Sequence, residues 1–328
     1  MKKKTLLFVC CLLCSVFVFT GCNQAPTPSR TNRWKDSETL TYDVSLATYT
    51  ENDETKPYTY GDVAGATFAP SAANGTYTVQ LTKADGEYRL ESTFTVNETY
   101  QNKADILGLE DARDLIVSET ETEVTITTST HSVVTFRDYP KGTPSSSAKT
   151  VNGVYLYRNR DNKIQLVRNH FQAIAAYDEK QCTLTLNEYN ATSNAYDRAL
   201  REARTVNTEN ANLLDNEQVF YTVRSVNMIT MDQAQSYTFR QIDAVKGEAV
   251  EVRLNKAVTG TTKITWDGAE TEVYAATMYL NKSGETGSPV MMYLDAKDSF
   301  EHGSEGTIYT QRILQMQQGH LLFLLRNA

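Results

Sequence analysis

The chain has 328 residues, with 32 basic and 40 acidic side chains and a net charge of −8. That length supplies one large domain or two smaller ones with a sizeable core. The acidity argues against a nucleic-acid partner and against an electrostatic footprint on anionic lipid.

The first element is a processing signal. Three lysines follow Met1, and residues 6–19 are apolar apart from Ser15. A basic start, a short apolar core and small closing residues form the layout of an export signal. A membrane-spanning helix needs roughly 20 apolar residues, so this run is too short to stay in the bilayer. It ends in Phe19-Thr20-Gly21-Cys22. That ending resembles the lipobox of bacterial lipoproteins, with Phe19 where the family usually has Leu. The resemblance implies cleavage between Gly21 and Cys22. It also implies a diacylglyceryl group on the Cys22 thiol and an acyl chain, such as palmitate, on the new amine. Two or more chains anchor a protein durably. The expected location is the cell membrane or outer membrane, lipid-anchored and facing outside the cytoplasm. Removing 21 residues with three lysines and no acid takes the net charge from −8 to −11.

Residues 22–39 read as the lipidated cysteine and an extended tether, with Pro26, Pro28 and no apolar periodicity. Residues 40–328 read as a single β-rich domain. Its first strand places Leu40, Tyr42, Val44 and Leu46 on one face. A hairpin follows, turning at Asp85-Gly86. In that register Leu81 faces Leu90, Val79 faces Ser92 and Tyr77 faces Phe94. A one-residue slip would mix apolar and polar faces. A short helix is expected over 104–115, and strands over 123–126 and 133–139. The segment 139–149 reads as a loop, and 139–150 is the candidate internal boundary. Strands at 154–157 and 163–167 come next. A second hairpin breaks at 178–181, pairs Tyr177 with Cys182, Ala175 with Leu184 and Ala173 with Leu186, and puts Cys182 on the apolar face. Helices are expected over 195–204, rich in strong helix formers, and over 210–228. Strands at 237–242 and 249–254 lead to a third hairpin at Asp267-Gly268, with Lys263 opposite Glu272. Strands at 290–295, 307–313 and 321–325 complete the chain. The expected class is α+β, β-dominated: a large curved antiparallel sheet, half-barrel-like, with a few helices from the middle of the chain.

No catalytic or cofactor site stands out. Four of the five cysteines lie in the signal or at the anchor, which leaves Cys182 without an intramolecular disulfide partner. Ser146-Ser147-Ala148-Lys149, Ser225-Val226-Asn227 and Lys282-Ser283-Gly284 match, in order, the patterns of penicillin-recognising serine enzymes. That chemistry needs the serine at a helix start with its lysine one turn on. Here the serine follows Pro144 in an apparent loop, so coincidence is the better reading. Cys182 and His170 as a thiol–imidazole pair fail on distance, because the hairpin sets them about 23 Å apart at ~3.3 Å per residue. His170 should instead lie near Tyr189. The remaining histidines have no partner at metal-ligand spacing. The acids of 109–114 read as a solvated helix face. No Gly-rich phosphate loop follows a strand. No metal and no cofactor are expected. The 19 tyrosines suit half-buried strand positions better than a glycan surface.

The layout resembles exported half-barrel envelope proteins, the class of lipoprotein carriers such as LolA and related domains of unknown function. The features are the Leu40-Thr41-Tyr42 strand, a central helix with Asp215, Tyr221 and Arg224, then Val245-Lys246-Gly247 and Ser288-Pro289-Val290 in the later strands. The resemblance implies a curved sheet enclosing an apolar groove. The expected function is non-enzymatic binding of a lipid or an envelope protein partner. The alternative is a surface module that binds glycan or peptide, and a serine enzyme comes third.

Overall fold

Asp85 and Gly86 both adopt positive φ, at 52° and 79°, as a two-residue turn matched to strand twist requires. In this computed structural model they join strands β2 (Ala72–Ala84) and β3 (Glu87–Gln101), with β1 (Ser37–Leu46) beside β2. The structure describes residues 34–51, 54–57, 70–101, 103–137, 142–158, 163–209, 213–282, 285–286 and 289–327. Gly21 and Cys22 lie outside them. The register is the expected one: Leu81 opposite Leu90, Val79 opposite Ser92, Tyr77 opposite Phe94.

The sheet continues through β4 (Glu123–Arg137), β5 (Thr143–Arg158), β6 (Ile164–Tyr177) and β7 (Gln181–Asn190). Short strands β8 (Ala195–Ala199) and β9 (Arg204–Asn207) flank β7. Next come β10 (Leu213–Asp215) and the helix α1 (Val219–Ser225). The chain then forms β11 (Ser236–Asp243), β12 (Glu248–Lys256), β13 (Thr262–Trp266) and β14 (Ala269–Lys282). It closes with β15 (Val290–Asp295), β16 (Ile313–Gln318) and β17 (Leu321–Leu325).

Pairing runs from β7 through β6, β5, β4, β3 and β2 to β1. From β1 it continues through β17, β16, β15, β14, β12 and β11. β10 then adds in parallel to β11. The second and third hairpins also take the expected registers, Tyr177 with Cys182 and Lys263 with Glu272.

The two ends of this sheet meet. Ala175, Cys182 and Leu184 from one end pack with Leu213 and Ile242 from the other. Arg201, just after β8, donates to the carbonyls of Ala244 and Val245 in the β11–β12 turn, both at 2.5 Å. The seam is therefore closed by side chains, and the sheet curls into a barrel-like shell. Tight curl needs places where a strand can press against its neighbour's backbone. A Cβ at Gly75 would lie 2.1 Å from the Thr95 carbonyl oxygen, and one at Gly153 would lie 2.7 Å from Thr128 Cα. Glycine within a strand marks such close approach.

The expected helices need correction. Residues 195–204 form β8 and a bend. Of 210–228, residues 210–212 lie outside the described residues, and among the rest only the seven residues of α1 are α-helical. The 104–115 region is two short 3₁₀ segments around a two-residue strand. Residues 143–149 begin β5 and are not a loop. Among the described residues the fold is β-dominated, with a large, mostly antiparallel sheet and almost no helix. Among the described residues, no helix is long and apolar enough to cross a membrane.

Candidate functional site

The space inside the curl is taken by the chain's own segment, residues 213–231. Phe220 of α1 packs on Tyr42 and Tyr77, with ring centroids 5.7 and 5.2 Å apart. Tyr221 packs on Phe136 at 4.6 Å and on Tyr88 at 6.2 Å. Val223, Val226, Met228 and Met231 complete an insert buried in the main core. Each such side chain contributes roughly 1.5–3 kcal/mol by leaving water. The aromatic inner faces of β1 to β4 thus meet an apolar helix, and alternation along each strand supplies that face.

Polar contacts fasten the insert at both ends. At one end lies Arg224, fully buried. Its Nη1 donates to Glu38 Oε2 at 2.9 Å, and its Nε donates to the Thr310 carbonyl at 2.7 Å. The guanidinium lies 4.1 Å over the Trp34 ring. Gln311 Nε2 donates to the carbonyls of Arg224 and Val226, at 2.8 and 2.7 Å. Farther on, Lys256 Nζ donates to the Met228 carbonyl at 2.7 Å.

At the other end, at the seam, lies a carboxylate pair, Asp215 buried and Glu217 half-buried. Asp215 Oδ2 accepts from the Ser147 hydroxyl at 2.5 Å and from the Tyr177 hydroxyl. Its Oδ1 accepts from the Glu217 amide at 2.9 Å. Glu217 Oε1 accepts from Lys149 Nζ at 3.0 Å and from Asn216 Nδ2 at 3.0 Å. Gln218 bridges the Asp215 amide and the Gly142 carbonyl, both at 2.8 Å. Burial, then the nearby Glu217 carboxylate, raise Asp215 to about 6. Burial would also raise Glu217, but the Lys149 ammonium outweighs it and holds Glu217 below its ordinary value. β5 is an inner-face strand whose alternate residues 147 and 149 are polar, and they meet the only acid-rich turn of the insert.

These groups do not assemble a nucleophile. Ser146 and Lys149 are three apart on β5 and so point to opposite faces. Ser146 bonds to the Thr135 hydroxyl, while Lys149 pairs with Glu217. The expected loop around Ser146 is corrected to a strand, and neither setting places Ser146 at a helix start with Lys149 one turn on. Ser225 is the last residue of α1 and donates to the Thr222 carbonyl. Ser283 and Gly284 lie outside the described residues. Cys182 is buried against Leu184, as expected, and His170 stacks on Tyr189 at 4.2 Å, at the far end of the hairpin. Among the described residues, no three His, Cys, Asp or Glu side chains gather to hold a metal ion.

Burial, with the Asp215 charge adding to it, pushes the Cys182 thiol up to about 12. A thiol probe is therefore expected to leave Cys182 unlabelled in the folded chain and to label it once denaturant is added. Rapid labelling under native conditions would show the seam to be open.

The segment 143–149 and the partners of Asp215 escaped the sequence reading. Its only signal was the period-two spacing of Ser147, Lys149 and Val151, masked by a Ser- and Pro-rich composition. No family model and no curated protein matches the chain. Among solved structures, a crystal structure of a β-barrel-like protein of a domain of unknown function, DUF1849, from Brucella abortus is similar. It has 10% identity and a TM-score of 0.47, covering 90% of this chain and 96% of that one.

Proposed function

We propose that the protein is a lipid-anchored envelope protein that works by binding rather than catalysis, and that its ligand is an apolar chain taken up inside the curled sheet in place of α1. One observation carries this reading. The aromatic inner face is covered by a single seven-residue helix that has no side-chain cap at its N-terminus. A helix that short is unstable alone in water, so it holds its place through packing and through the polar contacts at the ends of the insert. An acyl chain or an apolar partner segment would replace the apolar contacts of Phe220, Tyr221 and Val223. The soluble part, residues 23–328, would be extracted with organic solvent and the extract analysed by mass spectrometry. A stoichiometric lipid is expected, and an empty extract from repeated preparations would sink the ligand reading.

The anchor is tested separately. Cys22→Ala is expected to leave an unprocessed precursor without incorporated fatty-acid analogue. Equal labelling of variant and parent would remove the lipoprotein assignment.

The second reading, a surface module for glycan or peptide, has one observation in its favour. His170, Tyr189 and Tyr196 form an aromatic set on the outer face of the sheet edge, with the Tyr196 hydroxyl 3.2 Å from His170 Nε2. Loss of glycan or peptide binding in Tyr189→Ala, with the fold intact, would favour it.

A further inference from the structure

We infer that the seam is a proton-operated latch: buried Asp215 and half-buried Glu217 and Lys149 set two carboxylates against one cation, so segment 213–218 is held firmly when the cluster carries a proton and loosely when it does not. The inference rests on the reading above, in which the interior takes up a ligand when α1 moves.

The charge balance is set by geometry. Asp215 is met from β5 by Ser147 and, farther off, Lys149; from β6 by Tyr177; from β7 by Cys182; and from its own segment by Glu217. Lys149 is the only cation among these groups, and its ammonium bonds to Glu217. From β11, Asp243 also acts on Lys149, adding negative charge, while pairing with Lys246 at 3.3 Å. Asp178, at the β6–β7 turn, accepts from the Lys180 and Gln181 amides and acts on Cys182. With both cluster carboxylates ionised, one negative charge is left uncompensated around the buried Asp215, a costly arrangement even though Glu217 and Lys149 keep some contact with water. A single proton on Asp215 removes it. The Ser147 hydroxyl can rotate to accept that proton's hydrogen bond.

The location gives the proton leverage. Segment 213–218 runs directly into α1, and the seam it occupies is closed by the side chains of Ala175, Cys182 and Leu184 against Leu213 and Ile242. The sign follows from linkage. Asp215 goes from 3.8 to about 6 on burial, so its contribution is complete below 3.8 and is lost as pH rises through 6. Glu217 is lowered from 4.5, so its contribution is lost as pH falls through its folded value, below 4.5. The latch is therefore tightest near pH 4, loosens as pH rises to 6 and changes little above that.

Amide hydrogen exchange on the full chain in nonionic detergent tests this, between pH 5 and pH 8 and corrected for intrinsic exchange rates. The opening constant of amides 213–225 is expected to rise roughly tenfold, because the open-state carboxyl, at 3.8, is already mostly ionised at pH 5 and only the remainder of the two-unit span is crossed. Amides of β2 and β3 should change far less. Asp215→Asn should flatten the profile. Glu217→Gln, which leaves Lys149 facing a single carboxylate, should shrink the dependence as well and serves if the first variant does not fold. A flat profile in the parent chain, or a dependence that survives both variants, would overturn the latch. An Asp215-dependent profile in a chain that yields no lipid would support the latch and sink the ligand reading.

Discussion

Arg224→Ala is expected to destabilise the fold by about 3–5 kcal/mol, the cost of stranding one half of a buried ion pair. Arg224 is fully buried, and the Glu38 side chain it faces is 9% exposed. Removing the guanidinium leaves the Glu38 carboxylate with its main charge partner gone, the Thr310 carbonyl without its donor and the Trp34 ring without its stacked cation. Such a loss is a large fraction of a domain's stability. Arg224→Lys keeps the charge but not the fork that reaches Glu38 and Thr310 together, so it should recover only part of it. Arg224→Met combined with Glu38→Gln removes both charges and should be far milder than the sum of the two single changes. Urea unfolding gives the measurement, with a lowered midpoint at unchanged slope. A loss under about 1 kcal/mol in Arg224→Ala would mean the pair is solvated and the insert is not fastened there.

Gly75→Ala is expected to cost at or above the top of the roughly 1–3 kcal/mol usual for overpacking. The new methyl would stand 2.1 Å from the Thr95 carbonyl oxygen and 2.8 Å from Val96 Cα. Both are backbone atoms, so β2 and β3 must separate and the sheet must lose part of its curl. Gly86→Ala is the natural comparison. Its Cβ meets nothing within 4 Å, and only the left-handed backbone, φ 79°, is strained. That should cost about 1 kcal/mol. Thermal unfolding of the two variants separates the cases. Equal losses would show that close approach at Gly75 does not shape the sheet.

The hairpins were legible because their information is local. Alternation assigns the faces, and Asp-Gly at 85–86 and 267–268 supplies the two positive φ values the turns need. The helices were misread because intrinsic propensity is weak against tertiary contacts. Residues 195–204 are good helix formers, yet Arg201 is drawn onto the Ala244 and Val245 carbonyls across the seam. Before α1, side-chain bonds to the backbone compete with helix: Asp215 holds the Glu217 amide and Gln218 holds the Asp215 amide. β5 looked like a loop because of Pro144 and three serines. Pro144 sits near the strand start at a register irregularity, where a missing donor is tolerated. The serines find partners in Thr135, Glu87 and Asp215. The site itself was half visible. Asp215 and Arg224 could be named, but their partners Ser147, Tyr177, Glu38 and Thr310 lie 38 to 186 residues away. Nothing in a single sequence pairs residues at that separation.

The most direct test of an interior that exchanges α1 for a ligand uses Trp34. Its ring is 2% exposed and lies against Arg224 of α1. The other tryptophan, Trp266, can be replaced by Phe to isolate the signal. Oleate, kept below its micellar concentration, would be titrated into this variant while Trp34 emission is recorded. A saturable red shift, with oleate bound at one per chain, is the expected result. It would report the helix leaving and Trp34 gaining water. Oleate that fails to bind, or that binds while Trp34 emission stays unchanged, would contradict it.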